Sequence, residues 1–178
     1  SVVAHGEHVA TIRGCIECHG EGLSGQVFID DPAIGLLIAT NLTDGEGGIG
    51  QEYTNEDMVR AIRNGVNKDG KPAIFMPSHE YNPIDRSDLS ALISYIRSVE
   101  PVDNVQPETE VGMVARFLYM YGGMHLVPAR MIDHSKPVPD PVENRSPVEM
   151  GEYLAVTCTG CHGAGFAGGA IPGVPPEW

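Results

Sequence analysis

Cys15-Ile16-Glu17-Cys18-His19 near the start of the chain and Cys158-Thr159-Gly160-Cys161-His162 near its end share one pattern, Cys-x-x-Cys-His. That pattern points to covalent attachment of c-type haem. The two thiols form thioethers with the porphyrin vinyl groups, and the adjacent imidazole binds the iron. On a helical turn, residues three and four apart share a face. One short turn therefore presents both sulfurs and the ring to one porphyrin. The two strings use all four cysteines of the chain, which leaves none for disulfides. A zinc half-site and a thioredoxin-like dithiol are the rival readings. Zinc needs four donors in a compact knuckle, whereas these pairs sit at opposite ends of the sequence. A thioredoxin dithiol needs a βαβ setting, and no alternating strand pattern flanks either pair.

Composition suits a chain that wraps a cofactor. Its 178 residues leave room for about one to two small domains. Aromatics make up only 6 %, so side-chain bulk for a core is scarce, and a flat apolar group such as haem fills that gap. Gly 22 and Pro 14 imply many turns and irregular segments. Haem attachment takes place outside the cytoplasm, and the chain opens at Ser1 without a start methionine. The expected location is therefore periplasmic or extracellular, with a signal peptide removed. The net charge of −13 argues against nucleic acid or an anionic membrane surface and favours a basic redox partner. The most apolar stretch, Val111 to Val127, contains Arg116, His125 and three glycines. It is too short to span a bilayer and is expected as a buried or docking helix.

Three parts follow along the chain. Residues 1–100 form a first haem unit. A helix from His5 to Arg13 leads into the first attachment turn, and a Gly-rich loop runs from Gly20 to Gly50. Thr54-Asn55-Glu56-Asp57 reads as a capping box. Met58, Val59, Ile62 and Val66 make the apolar stripe of the helix after it, which Gly65 ends. A loop from Asn67 to Pro83 carries Met76-Pro77. The closing helix starts near Asp85 or Ser87, buries Leu89, Leu92, Ile93, Ile96 and Val99, and stops at Pro101. Residues 101–146 form a connector. In it, Pro107 opens a helix through Tyr121 with Val111, Val114, Phe117, Leu118 and Tyr121 on one side. Pro137 to Pro147 is extended. Residues 147–178 open a second haem unit, with Ser146 as N-cap and Glu149 as its capping partner. Gly151-Glu152-Tyr153-Leu154-Ala155 echoes Gly6-Glu7-His8-Val9-Ala10, an internal repeat. A Gly/Pro-rich tail then runs to Trp178. The expected fold class is all-α, with a helical haem-wrapping domain, a helical and Pro-rich connector and an incomplete second haem unit.

Several pieces of the first unit fit one family. They are Cys18-His19-Gly20, Asn41-Leu42-Thr43, Gly47-Gly48-Ile49-Gly50, Tyr53-Thr54, Arg60-Ala61-Ile62-Arg63-Asn64-Gly65-Val66, Met76-Pro77, and Asp88 through Val99. With these, residues 1–100 resemble a class I c-type cytochrome domain. The likeness is strongest to the multi-haem cytochrome c subunits of bacterial alcohol and gluconate dehydrogenases and related dihaem cytochromes. The resemblance implies electron transfer rather than catalysis, and it implies Met76 as the second axial ligand of the first iron. From the residues alone, Met76 is also a plausible gap-filling core methionine, and His79 is its rival for the iron. Met ligation raises the reduction potential relative to bis-histidine ligation.

The second site departs from that pattern. The resemblance implies a further Met-Pro and a closing helix, but no methionine follows Met150, so the second unit is truncated relative to the family. His162 supplies the proximal bond, and the distal ligand is left open. Three resolutions are open: the sequence is a fragment of a longer polypeptide, the second iron is open or weakly ligated, or a histidine from elsewhere binds it, with His5 or His8 of a neighbouring subunit, or His125 within the chain, as candidates. A ligand supplied in trans would make a head-to-tail contact of the kind that grows into rings or filaments. The leading expectation is an exported carrier with two covalently attached haems. Cys15, Cys18, His19 and Met76 hold the first, and Cys158, Cys161 and His162 hold the second. The alternatives are the electron-transfer subunit of a membrane dehydrogenase or respiratory complex, and a homopolymeric extracellular haem filament. A peroxidase is disfavoured, because no acid–base pair is evident near His162.

Overall fold

The structure, a computed structural model, describes residues 1–168. The tail to Trp178 lies outside the described residues. Helix α1 (Val2–Ile12) starts where the Ser1 hydroxyl accepts from the Ala4 amide, three residues earlier than the His5 start expected. It crosses α5 (Arg86–Ile96) at close range. Gly6 permits this approach, because a Cβ there would run into the Ala91 carbonyl. Val9 and Ala10 of α1 meet Leu89, Leu92, Ile93 and Ile96 of α5 in the main core. Fully burying a large apolar side chain stabilises by about 1.5–3 kcal/mol, so this crossing anchors the first unit.

Helix α3 (Asn55–Asn64) begins with the capping box expected at Thr54 and Asp57 and ends at Gly65, whose φ of 64° lies in the left-handed region. It contributes Met58 and Ile62 to the same core. Inside the expected Asn67–Pro83 loop lies a short helix, α4 (Ser78–Tyr81). The Asp85 carboxylate caps α5 by accepting from the Ser87 and Asp88 amides.

The all-α expectation needs correction, because the fold includes a small antiparallel sheet. Strands β1 (Gln26–Asp31) and β2 (Gly35–Ala39) form a hairpin within the segment expected as a Gly-rich loop. The connector supplies β3 (Glu110–Val111) on the far edge of β2. The residues justify this locally: Val27, Phe28, Ile29 and then Leu36, Leu37, Ile38 are strand formers, and Asp31 turns the chain by accepting from the Ala33 and Ile34 amides. The Gln26 amide also donates to the Glu17 and Cys18 carbonyls, which ties the hairpin to the attachment turn.

The connector also differs from expectation. Its helix, α6 (Met113–Met120), is shorter than the Pro107–Tyr121 span expected. The residues before it enter the sheet instead, where the Gly112 amide donates to the Ile34 carbonyl at 2.7 Å. Ala115 is the residue of α6 that is buried, with Met124 and Leu126, whereas Val114, Phe117 and Tyr121 are exposed. The connector's first residues are clipped to the first unit. The Val102 carbonyl accepts from Asn41 Nδ2 at 2.8 Å, and its amide donates to the Thr43 hydroxyl at 3.0 Å. This gives Asn41-Leu42-Thr43 a physical reason, since both polar side chains are buried and bonded. Residues 137–140 lie along the first unit without regular structure, with the Pro139 carbonyl accepting from the Arg86 amide, and a turn at Glu143-Asn144 interrupts the segment expected as extended. Helix α7 (Pro147–Ala155), opened by the Ser146/Glu149 capping box, leads to a 3₁₀ turn (Val156–Cys158) and to α8 (Thr159–His162). Among the described residues, no helix is long and apolar enough to cross a membrane.

Candidate haem-binding site

The first attachment string is itself a helical turn, α2 (Cys15–His19), entered through Gly14 and left through Gly20, both at positive φ. Cys15, Cys18, His19 and Met76 lie on the wall of one cavity of about 1060 Å³. That volume is at the upper end of ordinary ligand pockets. Leu37, Leu42, Tyr53, Met58 and Ile62 extend its apolar lining. A narrow continuation of about 30 Å³ again touches Cys15, His19 and Met76. His19 Nδ1 lies 2.8 Å from the Thr40 carbonyl oxygen. A carbonyl only accepts, so Nδ1 carries the proton and the Nε2 lone pair is left free to bind a metal. Burial pulls the His19 pKa down, and the Thr40 bond only partly offsets this, so the ring is held in its neutral, ligating form. Met76 sits in the loop before α4, packed against the core, and its carbonyl accepts from the Ser78 amide.

The thiols do not behave like a zinc or dithiol site. Burial first, then the neighbouring Cys18 and Glu17, push the Cys15 thiol up to about 12, and burial followed by Glu17 raises Cys18 as well. A thiol held in its protonated form is a poor redox nucleophile, which does not suit a thioredoxin-like dithiol. Among the described residues, no three His, Cys, Asp or Glu side chains are grouped to hold a bare metal ion. A large apolar cavity, two adjacent thiols, one free imidazole nitrogen and one thioether fit a covalently attached haem.

The second attachment turn faces the same cavity. Thr157, Thr159, Gly160 and Cys161 line it alongside the first set. Gly160 packs directly on the Glu80 carboxylate, and burial pushes the Glu80 pKa up to about 7. Two histidines join this wall. The His79 and His125 rings lie 6.2 Å apart, edge to face, and His79 Nδ1 is buried without a hydrogen-bond partner. His125 is thus brought to the cavity that Cys161 lines. His5 and His8 are not, since His5 pairs with Asp88 at 2.7 Å and His8 is exposed on α1. His162 and both cysteines of the second string are exposed, and among the described residues no carbonyl accepts from the His162 ring.

Reading the sequence missed a longer repeat. His19-Gly20-Glu21-Gly22-Leu23-Ser24-Gly25 matches His162-Gly163-Ala164-Gly165-Phe166-Ala167-Gly168. The backbones agree as well. Gly25 donates to the His19 carbonyl at 2.7 Å and Gly168 to the His162 carbonyl at 2.9 Å, and Leu23 and Phe166 both adopt positive φ, 56° and 58°. The glycine spacing carried that signal. The Thr40 carbonyl carried none, because its role depends on the hairpin.

Residues 2–96 match the family described as cytochrome C oxidase, cbb3-type, subunit III. Several bacterial proteins are also similar to this chain. The cytochrome c subunit of the quinone alcohol dehydrogenase of Gluconobacter oxydans is 34% identical over 177 residues, which is 91% of this chain and 35% of that protein. The fructose dehydrogenase cytochrome subunit of Gluconobacter japonicus is 35% identical over 118 residues, 61% of this chain and 24% of that protein. The gluconate 2-dehydrogenase cytochrome c subunit of Pantoea cypripedii is 32% identical over 120 residues, 62% of this chain and 26% of that protein. The chain thus spans about a third or less of the length of these relatives.

Proposed function

This chain belongs to the c-type cytochrome family of the cbb3-type subunit III domain, and we propose that it is an exported electron carrier holding two covalent haems. It serves as part of the cytochrome subunit of a dehydrogenase, passing electrons onward from a catalytic partner. Bound haem supplies a one-electron change at iron. The chain's own residues do the rest. Cys15 and Cys18 tether the first haem, His19 and Met76 bind its iron, and the apolar wall keeps water from it. Cys158, Cys161 and His162 hold the second haem. Residues 1–100 act as the first haem unit, 101–146 as connector, and 147–178 as the second haem-attachment unit.

The observation that carries the reading is the His19–Thr40 hydrogen bond beside Cys15, Cys18 and Met76 on one cavity wall. It orients the imidazole as a ligand on the same wall that the two tethering thiols and the thioether line. The relatives' names as dehydrogenase cytochrome subunits support the partner assignment. Electron paramagnetic resonance with near-infrared magnetic circular dichroism on the oxidised protein tests the ligand set. A His/Met signal that disappears in Met76→Ala supports the reading. A His/Met signal that survives Met76→Ala, or a bis-histidine signal at the first haem, overturns the Met76 assignment.

A further inference from the structure

Tyr153 on α7 joins the second unit to the first through a polar network. Its phenol donates to Asp88 Oδ2 at 2.7 Å and accepts from the Asp85 amide at 3.2 Å. Its carbonyl accepts from Arg13 Nη2 at 3.3 Å. Its ring lies against two guanidiniums, Arg145 at 4.0 Å from the centroid and Arg13 at 4.9 Å. Arg145 in turn pairs with Asp85 at 2.8 Å, with side chains only 12% and 2% exposed. The other Asp88 oxygen lies 2.7 Å from His5 on α1. Residues of α5 and α7 thus meet with the α1 cap Arg13 and with Arg145 at one largely buried point, with the half-exposed His5 of α1 at its edge.

Burying this many charges is costly, and well-packed apolar side chains would stabilise as much. What the bonded members provide is a single geometry, with Arg13 Nε left buried and unpaired at its edge. Here that geometry has a readable consequence. Arg13 lies two residues before Cys15, and Tyr153 lies five before Cys158. The clamp therefore grips the chain just ahead of each attachment turn, and both turns line the same cavity. The repeat supplies an internal control. Neither matching position of the first unit holds a clamped aromatic: His8, which matches Tyr153 within the Gly-Glu-x-x-Ala string, is exposed, and Ala10 lies five residues before Cys15 as Tyr153 does before Cys158. Attachment itself therefore does not require a clamped aromatic at this place.

We propose that Tyr153 is a positioning residue that holds the second attachment turn against the first, so that the two haems of one chain couple electronically. The proposal rests on the two-haem reading above. Circular dichroism in the Soret region tests it, because two haems held close together give a bisignate exciton signal. The holoprotein is compared with Tyr153→Ala, Tyr153→Phe, Arg145→Gln and His8→Ala, each weighed by intact mass to count haems. With two haems attached, the bisignate signal falls several-fold in Tyr153→Ala and partially in Tyr153→Phe and Arg145→Gln, and it is unchanged in His8→Ala. The methionine-to-iron charge-transfer band of the first haem stays in place throughout. A full bisignate signal in Tyr153→Ala and Arg145→Gln, or none in the unmodified two-haem protein, overturns the proposal while leaving the two-haem reading intact. A single haem by mass on the unmodified protein overturns both. Should Tyr153→Ala fail to fold, Arg145→Gln decides by the same signal.

Discussion

The two attachment units share a local backbone and differ in what surrounds it. Leu23 and Phe166 occupy the same position after the histidine, at nearly the same φ, yet Leu23 is fully buried and Phe166 is 55% exposed. Gly6 and Gly151 open the same Gly-Glu-x-x-Ala string ahead of the cysteines. A Cβ at Gly6 would collide with the Ala91 carbonyl, whereas nothing lies within reach of one at Gly151. His19 donates to Thr40, and among the described residues His162 has no such acceptor. The difference teaches that the Cys-x-x-Cys-His turn and its glycine loop fold from local sequence alone. Burial and ligand orientation come from α5 and the hairpin, which only the first unit has among the described residues.

The largest effect should come from removing the tethers. Cys15→Ser with Cys18→Ser takes the haem from a core built around it and should abolish cooperative thermal unfolding. Cys158→Ser with Cys161→Ser should leave that transition in place. Equal damage from both pairs would break the comparison. Next, Leu23→Ala should cost about 2–5 kcal/mol, as other large-to-small core substitutions do, and Phe166→Ala should stay within about 0.5 kcal/mol. Urea unfolding measures both. The glycines sharpen the contrast further. Gly6→Ala overpacks the α1–α5 crossing and should cost about 3 kcal/mol, while Gly151→Ala, on an open helical face, should gain about 0.5–1 kcal/mol.

A smaller effect is expected from pH at the contact between the units. Burial pushes the Asp85 carboxyl up, but the Asp88 amide, Arg145 and the Ser87 hydroxyl outweigh it and hold the group below its ordinary 3.8. The Tyr153 hydroxyl and Asp88 also face this point. A depressed carboxyl stabilises the folded state above its ordinary value and loses that contribution as pH falls through the lowered one. The protection factors of the α7 amides, corrected for the intrinsic exchange rate, should therefore fall more than those of α1 as pH drops below about 5 and through the lowered Asp85 value. Equal behaviour of the two helices would show that Asp85 does not hold α7 in place.

The features that were legible in the sequence are those set by neighbours along the chain. Thr54 with Asp57, Ser146 with Glu149, Asp85 at the start of α5 and Gly65 at the end of α3 all follow from local hydrogen bonding. The cysteine and histidine spacings placed the attachment turns for the same reason, and Met76 falls on the cavity wall the first turn faces. The hairpin was missed because its third strand comes from Glu110–Val111, far along the chain, and because Gln26 anchors it through a side chain. The length of α6 was overestimated because pairing with β2 outcompetes helix propensity for residues 110–111. Arg13, Asp85, Arg145 and Tyr153 carry no motif. Their meeting is tertiary, and no periodicity announces it.

Intact-mass spectrometry of the holoprotein tests the account most directly. Two added haems on the unmodified chain, falling to one in Cys158→Ser with Cys161→Ser, is the expected result. A chain that carries one haem or none, with free thiols at Cys158 and Cys161, would contradict it.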